Sequence, residues 1–181
     1  AFYKIFLELY SIETKSKNRD LIIYLQTKVN NHKITKLKKR IFYMPFSELI
    51  TLEELNKSLK ECDYRNPTPI QEKVIPLVLQ KKDVMAKAQT GSGKTASFVL
   101  PILELFSKQN YEGKAKVKVL VLTPTRELAL QISQTFSLFS KYLNKKPKIV
   151  SVIGGESIST QLLDIQKGCD IVVATTGRLV D

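Results

Sequence analysis

The chain has 181 residues, of which 29 are Lys or Arg and 17 are Asp or Glu, so its formal net charge is +12. A chain of this length suits one domain, or one domain with an appendage, and its 43% hydrophobic content is enough for a buried core. The strong positive charge favours a nucleic-acid partner, provided that it lies on the functional part of the chain.

Cysteine and histidine are scarce, which argues against several classes of protein. Two cysteines supply neither a disulfide framework nor a zinc site, and the single histidine, His32, argues against His-based catalytic triads. The cysteine usage indicates a reducing compartment, so we expect a cytoplasmic protein. No apolar run approaches the roughly 20 residues of a membrane helix, so no membrane contact is expected.

The charge is concentrated in residues 1–43, which we call the leader. The leader contains 10 basic and 3 acidic residues, a net charge of +7, whereas residues 44–181 carry +5. All 7 glycines and all 7 prolines follow the leader. Lys, Asn, Ile, Tyr and Phe, the amino acids of A/T-rich codons, make up 24 of its 43 residues but only 38 of the other 138. The two segments therefore have different compositions.

Three interpretations of the leader follow. The first, which explains its composition best, is that the leader is translated upstream sequence and that Met44 is the natural start. The second is an inert, solvated extension. The third is a basic helical arm, since residues 21–30 have helix-compatible spacing and a cluster that could contact phosphate follows them. That cluster consists of Lys36, Lys38, Lys39 and Arg40.

From Met44 onward the sequence alternates between helical and strand patterns. Leucines at helical spacing predict an amphipathic helix over residues 47–59, with Thr51 as a possible cap. The sequence Pro-Thr-Pro then breaks the chain. Further helices are predicted over residues 70–79, after the glycine-rich turn, over 126–142 and over 157–167, and strands over 83–88, 117–122, 149–153 and 171–174. Strands separated by helices imply right-handed crossovers and a parallel sheet, an α/β fold.

A candidate phosphate loop, AQTGSGKT, follows the first of these strands and opens a helix. It matches the pattern G-x-x-x-x-G-K-[ST] except that Ala88 holds the first glycine position. Gly91 and Gly93 permit a backbone that turns amide groups toward phosphate oxygens, and the helix N-terminus adds donors. Lys94 can reach the β- and γ-phosphates, and Thr95 can bind Mg²⁺. The candidate nucleotide-binding residues are Ala88, Gln89, Thr90, Gly91, Ser92, Gly93, Lys94 and Thr95, of which Lys94 and Thr95 are the candidate catalytic residues.

Residues 64–71, YRNPTPIQ, lie upstream of this loop and suit recognition of a base. The Gln71 carboxamide carries a donor and an acceptor, so it can pair with the N6 amine and N7 of adenine. Tyr64 offers a flat face for stacking. Taken alone, Pro-Thr-Pro is a loop and Tyr64 a core residue. Beside a phosphate loop, the base-binding interpretation is favoured.

The motifs of residues 44–181, taken together, resemble the amino-terminal lobe of DEAD-box RNA helicases. They occur in the family's order, at similar spacing, and the leader has no part in them. The motifs are Phe46, the segment from Tyr64 to Gln71, the phosphate loop, PTRELA at residues 124–129, Gly154-Gly155 and TTGR at residues 175–178. The resemblance implies a RecA-like parallel sheet with helices on both faces, of the P-loop NTPase type, truncated here.

The resemblance also implies roles for individual residues. Tyr64 would stack on adenine, Gln71 would hydrogen-bond it and Phe46 would support the pocket, so ATP with Mg²⁺ is the expected nucleotide. RNA would be bound through its backbone, independently of sequence. The implied RNA contacts are Pro124, Thr125, Arg126, Gly154, Gly155, Thr175, Gly177 and Arg178.

Placement in the predicted fold supports these RNA contacts independently of the family. Each group follows a predicted strand and precedes a helix, so its amides face the carboxyl edge of the sheet, where such folds bind ligands. Arg126 and Arg178 add positive charge for phosphate, although either could instead pair with a local carboxylate. Glu127 is expected to be structural.

The sequence departs from the family's pattern in three respects. Asp63 stands where the family usually has glycine, which a turn should tolerate, and Thr176 replaces the usual proline. The chain ends at Asp181, before the DEAD and Ser-Ala-Thr motifs and the second lobe. The strand that carries DEAD lies beside the phosphate-loop strand in such folds, so its loss should expose apolar sheet surface. We expect these 181 residues to bind ATP weakly at best and to show no RNA-stimulated hydrolysis.

The predicted function is that of an ATP-dependent RNA helicase, which in its complete form binds ATP and RNA and locally unwinds or remodels duplexes. Two alternatives remain. Another phosphate-loop ATPase or a DNA-directed helicase is disfavoured by the Gln71 motif. A protein that binds RNA without turnover is disfavoured by the intact Lys94 and Thr95.

Overall fold

The computed structural model describes residues 3–6, 22–26, 44–109 and 116–181. Strands and helices alternate over most of the described residues. The strands are β1 (Tyr3–Phe6), β2 (Ile22–Gln26), β3 (Val84–Lys87), β4 (Val119–Thr123), β5 (Ile149–Val152) and β6 (Ile171–Thr175). The helices are α1 (Phe46–Leu49), α2 (Glu53–Glu61), α3 (Pro69–Leu79), α4 (Lys94–Ser107), α5 (Arg126–Phe139), α6 (Ile158–Gln166) and α7 (Thr176–Val180).

The described strands form one sheet in the order β3-β2-β1-β4-β6-β5. Each neighbouring pair is parallel, with Val121 of β4 opposite Val173 of β6, and Ala86 of β3 opposite Leu25 of β2. Because every pair is parallel, all the strands end at the same edge of the sheet. The predicted α/β fold with a parallel sheet is confirmed.

Helices cover both faces of the sheet, as predicted. Alternate residues of a strand point to opposite faces, and those of β4 and β6 divide between two clusters. Val121 and Val173 belong to the larger cluster, together with buried residues of α2, α3, α4 and α5. Val172 and Leu122 belong to a smaller cluster on the other face, where Ile165 of α6 packs.

The helix predicted over residues 47–59 is wrong in one respect: it is two helices. α1 ends before Ile50, which is extended (φ −120°, ψ 113°), and α2 begins after Leu52, which occupies the N-cap position predicted for Thr51. The break has a tertiary cause, because Ile50 is fully buried and Thr51 hydrogen-bonds to Glu104 on α4. These contacts outweigh the leucine periodicity of the segment.

The leader contributes two interior strands of the sheet, β2 and β1, which lie between β3 and β4. The helical prediction for residues 21–30 is wrong over β2, where the β-branched and aromatic run Ile22-Ile23-Tyr24 favours a strand. The basic cluster at residues 36–40 lies outside the described residues. The resemblance implied an open position beside the phosphate-loop strand β3, but β2 pairs there. Met85 of β3 is nevertheless 72% exposed, so part of this strand's surface is uncovered.

Two negative findings concern the described part of the chain. None of its helices has the length and apolar character to cross a membrane. Its His, Cys, Asp and Glu side chains form no group of three or more suited to a metal ion.

Cys62 and Cys169 are free thiols, and burial raises the pKa of both, which disfavours the reactive thiolate.

Candidate functional site

The phosphate loop connects the end of β3 to the start of α4, and two glycines give it its shape. Gly91 (φ 78°) and Gly93 (φ 85°) have left-handed backbones that favour glycine. Gly93 is the N-cap of α4, and a Cβ there would lie 2.4 Å from Nε2 of Gln71. Both the conformation and the close approach therefore require glycine at residue 93. The open N-terminus of α4 presents its amides to this loop.

Lys94 is folded back over the loop. Its ammonium group donates hydrogen bonds to the carbonyl oxygens of Ala88 and Gln89, each at 2.6 Å. Desolvation by burial lowers the pKa of Lys94. The Ser92 hydroxyl is buried with no hydrogen-bond partner, and Thr95 lies half-buried in the first helical turn. An ammonium group, two hydroxyls and helix N-terminal amides form a donor set that fits a polyphosphate and its Mg²⁺.

Gln71 is tied to the phosphate loop rather than directed into an open pocket. It is 1% exposed, its Oε1 accepts the backbone N–H of Thr68 at 2.8 Å, and its Nε2 donates to the carbonyl of Gly93 at 3.1 Å. Thr68 also contacts the loop, since its hydroxyl donates to the carbonyl of Ser92 at 2.8 Å. Sequence reasoning missed this role of Thr68. The T-x-x-Q pattern at a helix start was the available signal.

Phe46 and Tyr64 come together in a separate aromatic pocket of about 330 Å³. Their ring centroids are 6.2 Å apart, and Tyr64 also meets the Phe139 ring edge-on at 5.4 Å. Tyr64 is 36% exposed, so it is not a core residue. Burial of its other side raises the pKa of its phenol. The pocket is lined by Pro45, Phe46, Ser47, Asn56, Leu59, Lys60, Asp63, Tyr64 and Arg65, and Gln71 is not among them.

Asp63 shows why glycine suits its position. Its backbone is left-handed, with φ 57°, a conformation that Asp tolerates better than most residues. The carboxylate is paired with the Arg65 guanidinium at 2.8 Å. The expectation that the turn tolerates aspartate agrees with this geometry.

A second groove, of about 550 Å³, lies at the carboxyl ends of β4, β5 and β6. It brings together seven of the eight residues predicted to contact RNA. Its lining consists of Pro124, Thr125, Arg126, Glu127, Gly154, Thr175, Gly177, Arg178 and Asp181. The prediction that these three loops meet at one sheet edge is therefore confirmed.

The eighth residue, Gly155, lies directly against Arg126. A Cβ on Gly155 would be 2.1 Å from Nη1 of Arg126, and one on Gly154 would be 3.4 Å from Nη2. Gly155 also has a left-handed backbone, with φ 84°. The absence of a side chain at residue 155 therefore lets the guanidinium lie on the glycine backbone.

The charges of this groove are partly neutralised within it. Arg178 donates to the carbonyl of Glu156 at 3.1 Å, and its Nε lies 3.6 Å from the Asp181 carboxylate, so the predicted alternative of local pairing applies to this arginine. Hydrogen bonds from its own backbone amide and from the Thr125 hydroxyl, with the nearby Arg126, lower the pKa of Glu127. Glu127 is therefore an anion at neutral pH and adds negative charge beside Arg126.

Comparison with known proteins identifies the family that carries this arrangement. A family model described as DEAD/DEAH box helicase matches residues 68–181, which include the phosphate loop and the groove. The chain belongs to the DEAD/DEAH box helicase family. The family assignment predicted from the motifs is thus confirmed, as is the RecA-like fold.

Individual relatives in the DEAD/DEAH box family agree with this assignment. A DEAD-box ATP-dependent RNA helicase of Helicobacter pylori is 43% identical over 148 residues, which are 81% of this chain and 29% of that protein. The structure of the yeast DEAD-box splicing factor Prp28 has a TM-score of 0.68 and 36% identity, covering 78% of this chain and 34% of that one. Prp28 from Chaetomium thermophilum, solved bound to ADP, has a TM-score of 0.63 and 40% identity, covering 72% and 31%. The chain therefore spans about a third or less of the length of the relatives it matches.

Proposed function

We propose that this chain is the nucleotide- and RNA-binding part of an ATP-dependent RNA helicase. The observation that carries the proposal is that the phosphate loop and the groove of Arg126 lie at the same edge of one parallel sheet. A nucleotide and an RNA strand bound there would be in contact with loops of the same rigid sheet. ATP hydrolysis by the complete protein would then drive local separation of an RNA duplex.

The nucleotide would lie across the phosphate loop and the aromatic pocket. Residues 88–95 would hold the phosphates, with Lys94 on the β- and γ-phosphates and the Thr95 hydroxyl on Mg²⁺. Phe46 and Tyr64 would hold the base. A relative solved bound to ADP supports an adenine nucleotide as the ligand. Gln71 would have to exchange its bond to Gly93 for one to adenine, or to read the base while keeping it.

RNA would bind to the groove at the carboxyl ends of β4, β5 and β6. Arg126 would contribute the charge, and backbone amides around Pro124, Thr125, Gly154, Gly155, Thr175 and Gly177 would contact phosphate oxygens. Arg178 would shape the groove and contact RNA only in part, because its guanidinium is engaged with Glu156 and Asp181. Contacts of this kind carry no base code, so binding independent of sequence is expected.

A cytoplasmic location is consistent with the free cysteines.

The test of this proposal is the substitution Lys94→Ala in the complete protein. We expect RNA-stimulated ATP hydrolysis to fall by about 100-fold or more, because the only phosphate-contacting cation of the loop is removed from a site whose chemistry is electrostatic. Steady-state ATPase assays with two single-stranded RNAs of unrelated sequence measure the effect and the sequence independence together.

The matched control is Lys82→Ala, which removes an exposed lysine of the turn before β3. This variant should hydrolyse ATP at the wild-type rate. Unchanged hydrolysis in Lys94→Ala would refute the assignment of the loop. Efficient RNA-stimulated turnover by residues 1–181 alone would refute the expectation that this segment is incomplete as an enzyme.

A further inference from the structure

Glu104 is a fully buried carboxylate that the proposed function does not use. It lies on α4 and is 0% exposed. Its Oε2 accepts the backbone N–H of Thr51 at 3.0 Å, and its Oε1 accepts the Thr51 hydroxyl at 2.7 Å and the Lys108 ammonium at 2.5 Å. A buried carboxylate is stable only when paired and hydrogen-bonded, as this one is. An apolar side chain would fill the same space without these requirements, so the contacts themselves need an explanation.

The group that Glu104 holds is the link between α1 and α2, residues 50–52. The link is fastened from two sides. Asn56 on α2 donates from its carboxamide to the carbonyls of Ile50 at 2.8 Å and of Leu52 at 3.1 Å. Glu104 on α4 binds the amide and hydroxyl of Thr51 between them. The backbone of the link is therefore fixed to both helices.

Fixing the link also fixes α1, which carries one wall of the aromatic pocket. A helix of four residues has no stability of its own, so its position depends on what anchors its ends. Phe46 is its first residue, 4% exposed and 6.2 Å from the Tyr64 ring. Displacement of the link would move Phe46 away from Tyr64.

Glu104 thereby connects the two parts of the proposed nucleotide site. α4 begins at Lys94 of the phosphate loop, and Glu104 lies three turns further along this helix, about 15 Å away. One rigid helix thus holds the phosphate end directly and the base end through Glu104. We propose that Glu104 is a positioning residue that sets Phe46, and with it the base pocket, at a fixed distance from the phosphate loop. This inference rests on the proposed function, in which a nucleotide spans both.

The test compares a base-bearing ligand with one that lacks a base. Affinities for ADP and inorganic pyrophosphate are measured by titration calorimetry for the complete wild-type protein and for its Glu104→Ala and Glu104→Gln variants. We expect Glu104→Ala to lose about tenfold in its preference for ADP over pyrophosphate, because Phe46 no longer packs on the base, while its affinity for pyrophosphate stays unchanged. Glu104→Gln retains an acceptor for the Thr51 amide and should restore the preference.

A purely structural role would give a different result. In that case the affinities for ADP and for pyrophosphate would fall together, as in a variant that merely destabilises the core. Ile132→Val, which removes one methylene from a fully buried position on α5, serves as that control and should keep the ADP preference. If Glu104→Ala does not fold, Thr51→Ala removes only one of the three donors at an exposed position and should lose part of the preference.

A second measurement needs no ligand. Nuclear Overhauser contacts between the rings of Phe46 and Tyr64 should disappear in Glu104→Ala, whereas those between Tyr64 and Phe139 should persist as an internal reference. Persistence of the Phe46 contacts, or an unchanged ADP preference, would overturn this inference and leave the proposed function standing. A complete wild-type protein that binds ADP no better than pyrophosphate would overturn both.

Discussion

The contact between Arg126 and Gly155 joins two loops that the sequence places far apart. Sequence reasoning assigned both residues to one RNA-binding edge, because each follows a predicted strand, and the structure brings them together. It did not anticipate that the guanidinium lies on the glycine backbone. That contact depends on how the loops after β4 and β5 converge, which periodicity cannot show.

Three glycines of the site predict a graded loss of stability on substitution by alanine. Gly177→Ala should cost nothing, because an added Cβ has nothing within 4 Å and the residue lies inside α7. Gly91→Ala should lower the free energy of unfolding by about 1 kcal/mol, since its φ of 78° is strained for alanine. Gly155→Ala should cost more, because Arg126 must also move.

Urea denaturation followed by circular dichroism measures this series. The three substitutions are chemically identical, so differences between them report the local backbone and contacts alone. Equal unfolding free energies for Gly155→Ala and Gly177→Ala would contradict the described packing of Arg126.

Gln71 marks the limit of prediction at single residues. Its residue type and spacing from the loop indicated adenine recognition, yet its carboxamide is bonded at both ends, to Thr68 and to Gly93. The sequence could not show this, because the second partner lies 22 positions away in a loop whose path is set by tertiary structure. Which partners the Gln71 carboxamide takes is decided by its neighbours in the fold, and the composition of the sequence does not show them.

Among the elements, α2 and α5 are joined by contacts that fix the aromatic pocket. The Ser58 hydroxyl of α2, 1% exposed, is within bonding distance of the carbonyl of Phe139 at the end of α5, at 2.9 Å. Glu61 of α2 binds Lys141 and Tyr142 beyond that end. Hydrogen bonds from these two partners lower the pKa of Glu61. Since the Phe139 ring meets Tyr64, the junction of the two helices helps to place the pocket wall.

Ser58→Ala should therefore destabilise the junction by about 1–2 kcal/mol, because the Phe139 carbonyl loses a buried donor. The matched control is Ser137→Ala on the exposed face of α5, where the hydroxyl bonds only to Ser133 one turn earlier. That substitution should be neutral or slightly stabilising, since alanine is the better helix former. Equal effects of the two substitutions on urea denaturation would contradict a role for the buried contact.

The helices and strands were predicted well where hydrophobic periodicity agrees with the glycine, proline and cap residues that bound each element. The strands from β3 to β6 and the helices from α3 to α6 lie within a few residues of their predicted positions. The prediction of a single helix over residues 47–59 was wrong, because the break is caused by contacts with Glu104, which lies 53 residues from Thr51 in sequence. Leucine spacing continues through the break and carries no trace of it.

For the whole molecule, the parallel order of the sheet followed from the alternation of strands and helices, but the place of the leader did not. Its charge and composition set it apart, and they suggested a segment with no part in the fold. In the structure β1 pairs with β4 and β2 with β3, so the leader joins the two halves of the sheet. Composition does not show how a segment pairs, and whether the leader is natural stays a prediction.

The pairing of the leader can be tested by a proline in β2, an interior strand of the sheet. β2 lies between β1 and β3, so each of its backbone amides faces a neighbouring strand, and Tyr24 stands opposite Phe6 and Met85. Tyr24→Pro removes one donor from the ladder and should lower the free energy of unfolding by about 1–3 kcal/mol. Tyr24→Val keeps the amide, suits a strand and should cost clearly less.

Urea denaturation of the two variants, beside a chain lacking residues 1–43, tests whether the leader takes part in the sheet. If the leader completes the sheet, Tyr24→Pro and the deletion both lower stability, because β3 and β4 lose their neighbours. If Tyr24→Pro and Tyr24→Val unfold alike and the deletion is neutral, the leader takes no part in the sheet. The shorter chain beginning at Met44 would then be the folded unit, and seven of the twelve positive charges would lie outside it.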